Sequence, residues 1–450
     1  MPGDKSKQPK PAGRTRKPSL EPAASASTDA ASTSPITMQL FEGEEVDLRS
    51  GNDAETTIPD ELINEKYISG DVRIITEQAR YPLSTITSLI ASGDYELNPE
   101  FQRRHRWSPE KQSRLIESFI MNVPVPPIFL YEDEFSHYEV MDGLQRLTAI
   151  LSFYRNELEL TGLTEWRELE GRTYSRIPEQ VKKGIDRRYL SSIILLRETA
   201  KSAGEAERLK QMVFERINSG GEALREQETR NAIYNGRLNK LCIELSRDRN
   251  LCRMWGIPEP TPEELYDPTN WLNGAEAKEL ELNRYYKTMF DVELVLRFFA
   301  HRQRRRIGGG ALSTYLDAYL KQGNMFSQET LESLRHLFVQ TTELLYDVLG
   351  ERAFWLWRYR HNHWDWLERP TTTAYDAFMF VFSQNLDRAH KMRELAPQFQ
   401  ESVKEFYQTH VDSFDARMTN MSNLRERDRL AADFVNSVLE NGRYVPADAT

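Results

Sequence analysis

Apolar residues recur at helical spacing in "PEKQSRLIESFI", where Leu115, Ile116, Phe119 and Ile120 share one face. Ser108 offers an N-cap hydroxyl and Pro109 suits the first helical position, so a helix is predicted to start there. The prolines at 124, 126 and 127 end it. "PIFLYE" and "HYEVM" then read as two strands joined by the acidic turn "DEFS". Leu147, Ile150, Leu151 and Tyr154 return to the i, i+3, i+4, i+7 spacing, which sets a second helix beginning near Leu144. The local order is strand, Asp-Gly turn, helix.

The same patterning extends in both directions. "LSTITSLIASGDYEL" predicts a short helix stopping at Gly93, and "SSIILLRE" a strand near residue 194. "AERLKQMVFERINSGGEALREQETRNAIYNG" reads as two helices around an Asn-Ser-Gly-Gly turn. From about residue 240 onward the signal is almost entirely helical. Met289, Val292, Leu296 and Phe299 line one face, and Leu331, Leu334, Phe338, Leu345 and Val348 line another. Gly350 stands where a C-cap glycine belongs. No internal repeat is visible. The expected architecture is α+β, with a mixed domain over residues 71–238 followed by an α-helical domain over 239–440. Residues 1–40, rich in Lys, Pro, Ala, Ser and Thr, read as a disordered tail whose basic first half could touch nucleic acid.

Composition narrows the function classes. The 450 residues are too many for one average domain, and 39% hydrophobic content is enough for real cores. No apolar run approaches the roughly 20 residues that span a bilayer, and no apolar segment follows Met1 as in a secretory signal. No membrane partner is therefore expected. Cys242 and Cys252 match no metal or redox spacing, and so few thiols fit a reducing cytoplasm. The formal net charge of −10 argues against an overall basic nucleic-acid binder and leaves room only for a local basic groove.

The chemistry concentrates in "VMDGLQRLTAIL". A helix N-terminus carries unpaired N–H groups and the positive end of the macrodipole, so phosphate binds there readily. Gly143 lets backbone come close, Arg146 can fork onto phosphate oxygens, and Gln145 can donate an amide N–H. Asp142 would repel phosphate unless it holds Mg²⁺ or orients Arg146. On these grounds alone a phosphate site and an ordinary Asp-Gly turn before an amphipathic helix stand level.

Four segments, "FQRRHRW", "LIESFIMNVPVPPIFLYE", "YEVMDGLQRLTAIL" and "FERINSGGEAL", resemble in order and spacing the N-terminal domain of GmrSD-type restriction proteins, whose hallmark is a DGQQR motif on a ParB/sulfiredoxin-like fold. The resemblance covers residues 80–236. It implies binding of a nucleoside triphosphate with Mg²⁺, often with hydrolysis, in systems that restrict foreign DNA. Carried over, Asp142, Gln145 and Arg146 are the candidate catalytic residues, with Asp142 also the candidate metal ligand. Gln102, Arg103, Gly143, Asn218 and Gly220 are the candidate nucleotide-binding residues; Asn218 and Gly220 read equally well as a helix C-cap. DNA and a separate nuclease or defence subunit are the partners implied. One position departs from the motif: Leu144 stands in place of its first glutamine. This keeps two alternatives in view, a nucleotide-gated DNA-binding adaptor without turnover and an interaction protein with a vestigial site.

Two other motifs are expected to be decoys. His361-Asn362-His363 spells the name of a nuclease class, but that chemistry needs its histidine and asparagine on separate elements around a metal. Packing or a partner surface is the better reading within an aromatic run holding Trp355, Trp357, Trp364 and Trp366, and no nuclease activity is expected of the chain alone. "HRQRRRIGGG" reads best as a helix ending in basic residues that suit its dipole, ahead of grip on a DNA backbone.

Overall fold

A computed structural model describes residues 40–46, 63–64, 67–68, 74–97, 107–199, 203–218, 225–261, 279–280, 282–307, 311–414 and 421–446. The tail read at 1–40 lies, but for Leu40, outside these residues.

The first part is built on a five-stranded mixed sheet. Its strands are β1 (Thr76–Pro82), β2 (Tyr95–Glu96), β3 (Ile128–Glu134), β4 (His137–Asp142) and β5 (Tyr189–Leu195), in the spatial order β1-β5-β3-β4-β2. β1 runs antiparallel to β5 with Arg80 opposite Ser191, and β5 runs parallel to β3 with Ser192 opposite Ile128. β3 and β4 form an antiparallel hairpin in which Phe129 faces Asp142. The helices of this part are α1 (Ile86–Ala91), α2 (Pro109–Met121), α3 (Leu144–Tyr154), α4 (Glu179–Asp186) and α5 (Ala203–Asn218). The Ser108 hydroxyl caps α2 by accepting from the Lys111 N–H at 3.4 Å, with Pro109 in the first turn. Asn122 then closes α2 in a left-handed conformation ahead of the proline run.

Alternation along the strands sends side chains to two different cores. Ile128, Leu130, Leu190 and Ile194 join Leu83, Ile116, Phe119, Leu147, Ile150 and Phe153 in the core beneath α1 to α4. Tyr131, Met141 and Leu195, one position out of phase, belong to the second core instead. That core continues through Phe214 of α5 into the helical half. The sheet is therefore covered on both faces, and its two faces tie the cores together.

The second part comprises α6 (Glu226–Ile233), α7 (Arg237–Leu245), α8 (Arg249–Trp255), α9 (Phe290–Ile307), α10 (Leu312–Gly323), α11 (Gln328–Leu349), α12 (Thr372–Ser383), α13 (Ala396–Thr409) and α14 (Met421–Asn441), with shorter turns between them. The apolar stripes read from the sequence are the buried ones: Met289, Val292, Leu296, Phe299, Leu334, Phe338, Leu345 and Val348 are fully enclosed. The mixed sheet followed by a helical half is the α+β order expected. One element departs from the all-helical expectation. "WRYRHNHWDW" forms a two-stranded ribbon, β6 (Trp357–Arg360) and β7 (His363–Trp366). No helix among the described residues is long and apolar enough to cross a membrane.

Buried charge pins the helical half. Arg297 of α9 pairs with Asp376 of α12, at 2.5 Å from Nη2 and 3.2 Å from Nε. Burial alone would raise the Asp376 carboxyl, but Arg297 and His301 hold it well below the usual carboxylate range. A segment preceding the sheet docks here as well. Glu44 is fully buried and accepts from Arg302 of α9 through both oxygens, at 2.7 and 2.9 Å. The Val46 N–H donates to the Gln303 side chain at 3.0 Å, and the Thr330 hydroxyl to the Glu42 carbonyl at 2.8 Å.

Candidate functional site

The turn between β4 and α3 depends on Gly143. Its φ of +94° and ψ of 10° lie in the left-handed region that side chains rarely adopt. A Cβ there would stand 2.3 Å from Ile128 Cγ2, so the turn closes directly against the start of β3. The tight reversal lets β4 deliver its last side chain, Asp142, beside the first turn of the helix it precedes. The Gly143 carbonyl accepts the first helical bond, from Leu147, and Gly143 offers no side-chain cap. The N–H groups of Leu144, Gln145 and Arg146 thus have no acceptor within the helix.

Arg146 is held from two sides. Its Nη2 lies 2.6 Å from Asp142 Oδ2 and donates to the Pro127 carbonyl at 3.3 Å. The side chain is only 13% exposed, and its Nε is buried with no hydrogen-bond partner among the described residues. Of the two reasons for Asp142 set out from the sequence, orienting Arg146 has a direct contact. A metal role for Asp142 would require the same carboxylate to serve two cations, and among the described residues no cluster of three or more acidic, histidine or cysteine side chains could hold a metal ion. A Mg²⁺ here would have to arrive with phosphate oxygens and water as its other ligands.

Gln145 reaches in a different direction. Its Oε1 accepts from the Trp107 N–H at 3.0 Å, and Gln112 Nε2 donates to the Trp107 carbonyl at 2.8 Å. The end of "FQRRHRW" is therefore fastened to the DGLQR turn at its last residue. Trp107 packs against the first core, with the Lys111 ammonium 4.7 Å above its ring. Gln102 and Arg103 fall outside the described residues, as does Gly220; Asn218 closes α5, and its side chain is not described. Leu144 is buried and presents no polar group.

Electrostatics on the far face of β4 were not legible from the sequence. Glu139 forms an ion pair with Lys210 of α5, and that ammonium also lies 5.3 Å over the Tyr131 ring. Burial pushes the Glu139 carboxyl up, with Lys210 opposing the shift. On α2, Glu117 accepts from the N–H groups of Thr164, Glu165 and Trp166 at 3.0, 2.8 and 2.9 Å and from the Thr164 hydroxyl at 3.0 Å. Burial opposes ionisation there, yet these donors hold the carboxyl below its ordinary value.

The histidines of "HNH" take no part in this region. His361 and Asn362 form the exposed tip of the β6-β7 ribbon, both with positive φ. Behind them, Tyr359 with Trp364 and Trp357 with Trp366 make edge-to-face pairs.

Residues 83–235 match the family model described as the GmrSD restriction endonuclease, N-terminal domain. That segment is similar to the N-terminal domain of GmrSD restriction endonucleases. It takes in β2 to β5, α1 to α6 and the whole of the Asp142–Arg146 turn. Most of the helical half lies beyond it. Neither a curated protein nor a solved structure matches the chain. Within the matched segment, Asp142, Gly143, Gln145 and Arg146 come together at one turn, at the sheet end where β3 and β5 begin.

Proposed function

We propose that the chain is a nucleotide-binding component of a restriction system directed against foreign DNA, and that its GmrSD-like segment binds a nucleoside triphosphate at the Asp142–Arg146 turn. The observation that carries this reading is the guanidinium of Arg146. It is nearly buried, aligned by Asp142 and the Pro127 carbonyl, and set in the first turn of a helix whose leading N–H groups have no acceptor within it. An arginine so fixed loses little freedom on gripping a phosphate oxygen.

In this reading Arg146 and the helix N-terminus hold the phosphates, and Asp142 keeps the guanidinium in place. Gln145 fastens Trp107 to the turn. Gln102, Arg103, Asn218 and Gly220 are assigned to the same nucleotide by family likeness alone. A Mg²⁺ bound with the nucleotide would neutralise phosphate charge, with Asp142 the carboxylate that would hold it. Because phosphoryl transfer needs positioning and charge neutralisation above all, this set suffices for slow hydrolysis used as a switch, with the cutting of DNA left to a separate nuclease subunit.

The deciding experiment is calorimetry of ATP, GTP, CTP and UTP with Mg²⁺ on wild type and Arg146→Ala. Binding by wild type that the variant loses supports the reading; absence of binding by wild type ends it. Leu144 favours one rival specifically. A buried hydrocarbon where the motif has glutamine cannot orient a water, so a nucleotide-gated, DNA-binding adaptor without turnover is the second reading. A single-turnover hydrolysis assay separates the two.

A further inference from the structure

A second basic feature opens at the same end of the sheet as the DGLQR turn. A cleft of about 310 Å³ is lined by Arg80, Asn122, Arg187, Arg188, Tyr189 and Ser191. Three guanidinium groups and no carboxylate line it, in a chain whose formal net charge is −10. Arg188 is fixed through its Nε, which donates to the Phe119 carbonyl at 3.2 Å. Arg80 and Arg187 are exposed, and neither forms an ion pair among the described residues. The acid nearest in sequence, Asp186, is already engaged: its carboxylate accepts from the Tyr154 and Tyr174 hydroxyls, each at 3.0 Å.

Tyr189 gives the cleft its second chemistry. It is 57% exposed at the first position of β5, against the sheet's edge strand. An exposed aromatic ring beside exposed arginines is the combination that binds unpaired nucleic acid, in which phosphates meet the cations and a base stacks on the ring. Duplex DNA keeps its bases stacked on one another and would leave the tyrosine unused.

The placement is also apt. Arg80 lies opposite Ser191, and Ser192 lies opposite Ile128, the residue against which Gly143 closes. The cleft and the Asp142–Arg146 turn thus share one end of the sheet, with the prolines of the α2–β3 loop between them.

We infer that this cleft is a binding site for single-stranded DNA, with Arg80, Arg187 and Arg188 on the phosphates and Tyr189 under a base. The choice of DNA rests on the reading of the chain as a restriction component; the cleft itself does not depend on nucleotide binding at Arg146.

The test is fluorescence anisotropy on the full chain with a labelled single strand roughly 15 nucleotides long. An unlabelled duplex and inorganic phosphate serve as competitors. Wild type should bind the single strand in preference to the duplex. Arg80→Ala with Arg187→Ala should weaken binding about tenfold and lower the salt slope by roughly 0.7 for each phosphate no longer neutralised. Tyr189→Ala should weaken it about fivefold or more, and Tyr189→Phe should restore it. With no nucleotide present, Arg146→Ala should bind DNA like wild type. Arg80, Arg187 and Tyr189 are exposed, and circular dichroism of each variant checks that the fold is kept. Unchanged binding in the arginine variants overturns the inference. So does a duplex bound equally well with Tyr189→Ala without effect, or displacement by inorganic phosphate alone at low millimolar concentration. A loss confined to Arg146→Ala would place DNA at the motif turn and refute the cleft, while calorimetry of nucleotide binding would still stand on its own result.

Discussion

The Asp142 carboxylate lies 2.6 Å from the Arg146 guanidinium, across a left-handed glycine that joins a strand to a helix. The pair sits four residues apart, but the residues belong to different elements, so their ion pair fixes the turn as well as the side chain. If Asp142 serves chiefly to aim Arg146, Asp142→Asn should weaken nucleotide binding about tenfold, and the loss should be the same with Mg²⁺ or with chelator present. Adding Asp142→Asn to Arg146→Ala should then cost nothing further. A defect in Asp142→Asn that appears only with Mg²⁺ would assign the carboxylate to the metal instead. Calorimetry over the two single variants and the double variant reads this directly.

Gly143→Ala should destabilise the chain through two separable effects. The left-handed backbone costs a side chain about 1–2 kcal/mol. The 2.3 Å approach to Ile128 Cγ2 adds about 1–3 kcal/mol of overpacking. On an Ile128→Ala background the clash with Cγ2 is removed, while the Cβ of residue 128 at 2.9 Å and Arg146 Nη2 at 3.0 Å remain, so Gly143→Ala should there cost less than in wild type but more than the backbone part alone. Denaturant midpoints for the four proteins check this, and additive costs would show that Ile128 is not what fills the space.

What the sequence revealed and what it hid divide along the range of the interactions. The α2 cap at Ser108, the start of α3 at Leu144 and the Asp142–Arg146 pair all act within four residues, and periodicity with cap chemistry exposes them. Glu44 and Arg302 are 258 positions apart, and nothing near "FEGEEV" marks its glutamate as destined for a core. Lys210 and Glu139 meet across a sheet face in the same way. The β6-β7 ribbon was hidden for a different reason. Its Trp and Tyr residues alternate with charges over only four residues per strand, and the turn at His361-Asn362 uses left-handed residues other than glycine. The arginine cleft draws on residues 80, 122, 187–189 and 191, so its concentration of charge exists only after folding.

Glu44→Ala should cost about 3–5 kcal/mol, because it removes the carboxylate that pairs with the Arg302 guanidinium in a core where both are enclosed. Replacing the pair together, as Glu44→Ala with Arg302→Met, should cost less than the sum of the single changes. Chemical denaturation of the single and double variants provides the cycle. Equal and additive losses would mean that the segment docks through Val46 and Thr330 alone.

Lys210→Met should change how stability depends on pH. Burial raises the Glu139 carboxyl above its ordinary 4.5, and Lys210 opposes that rise. An acid whose folded pKa is raised binds its proton more tightly in the folded chain than in the unfolded one. Its contribution to stability is therefore greatest at low pH and falls as pH climbs from the unfolded pKa through the folded one. Without the ammonium the folded pKa rises further, so the fall becomes steeper and reaches to higher pH. At neutral pH the variant should lose about 3–5 kcal/mol, the cost of a buried charge left without its partner. Glu139→Gln in the same background should remove most of both effects. Denaturant midpoints between about pH 4 and pH 8 measure the slope. A Lys210→Met profile parallel to wild type would show that Glu139 gains its solvation from another source and that α5 is not held to β4 by charge.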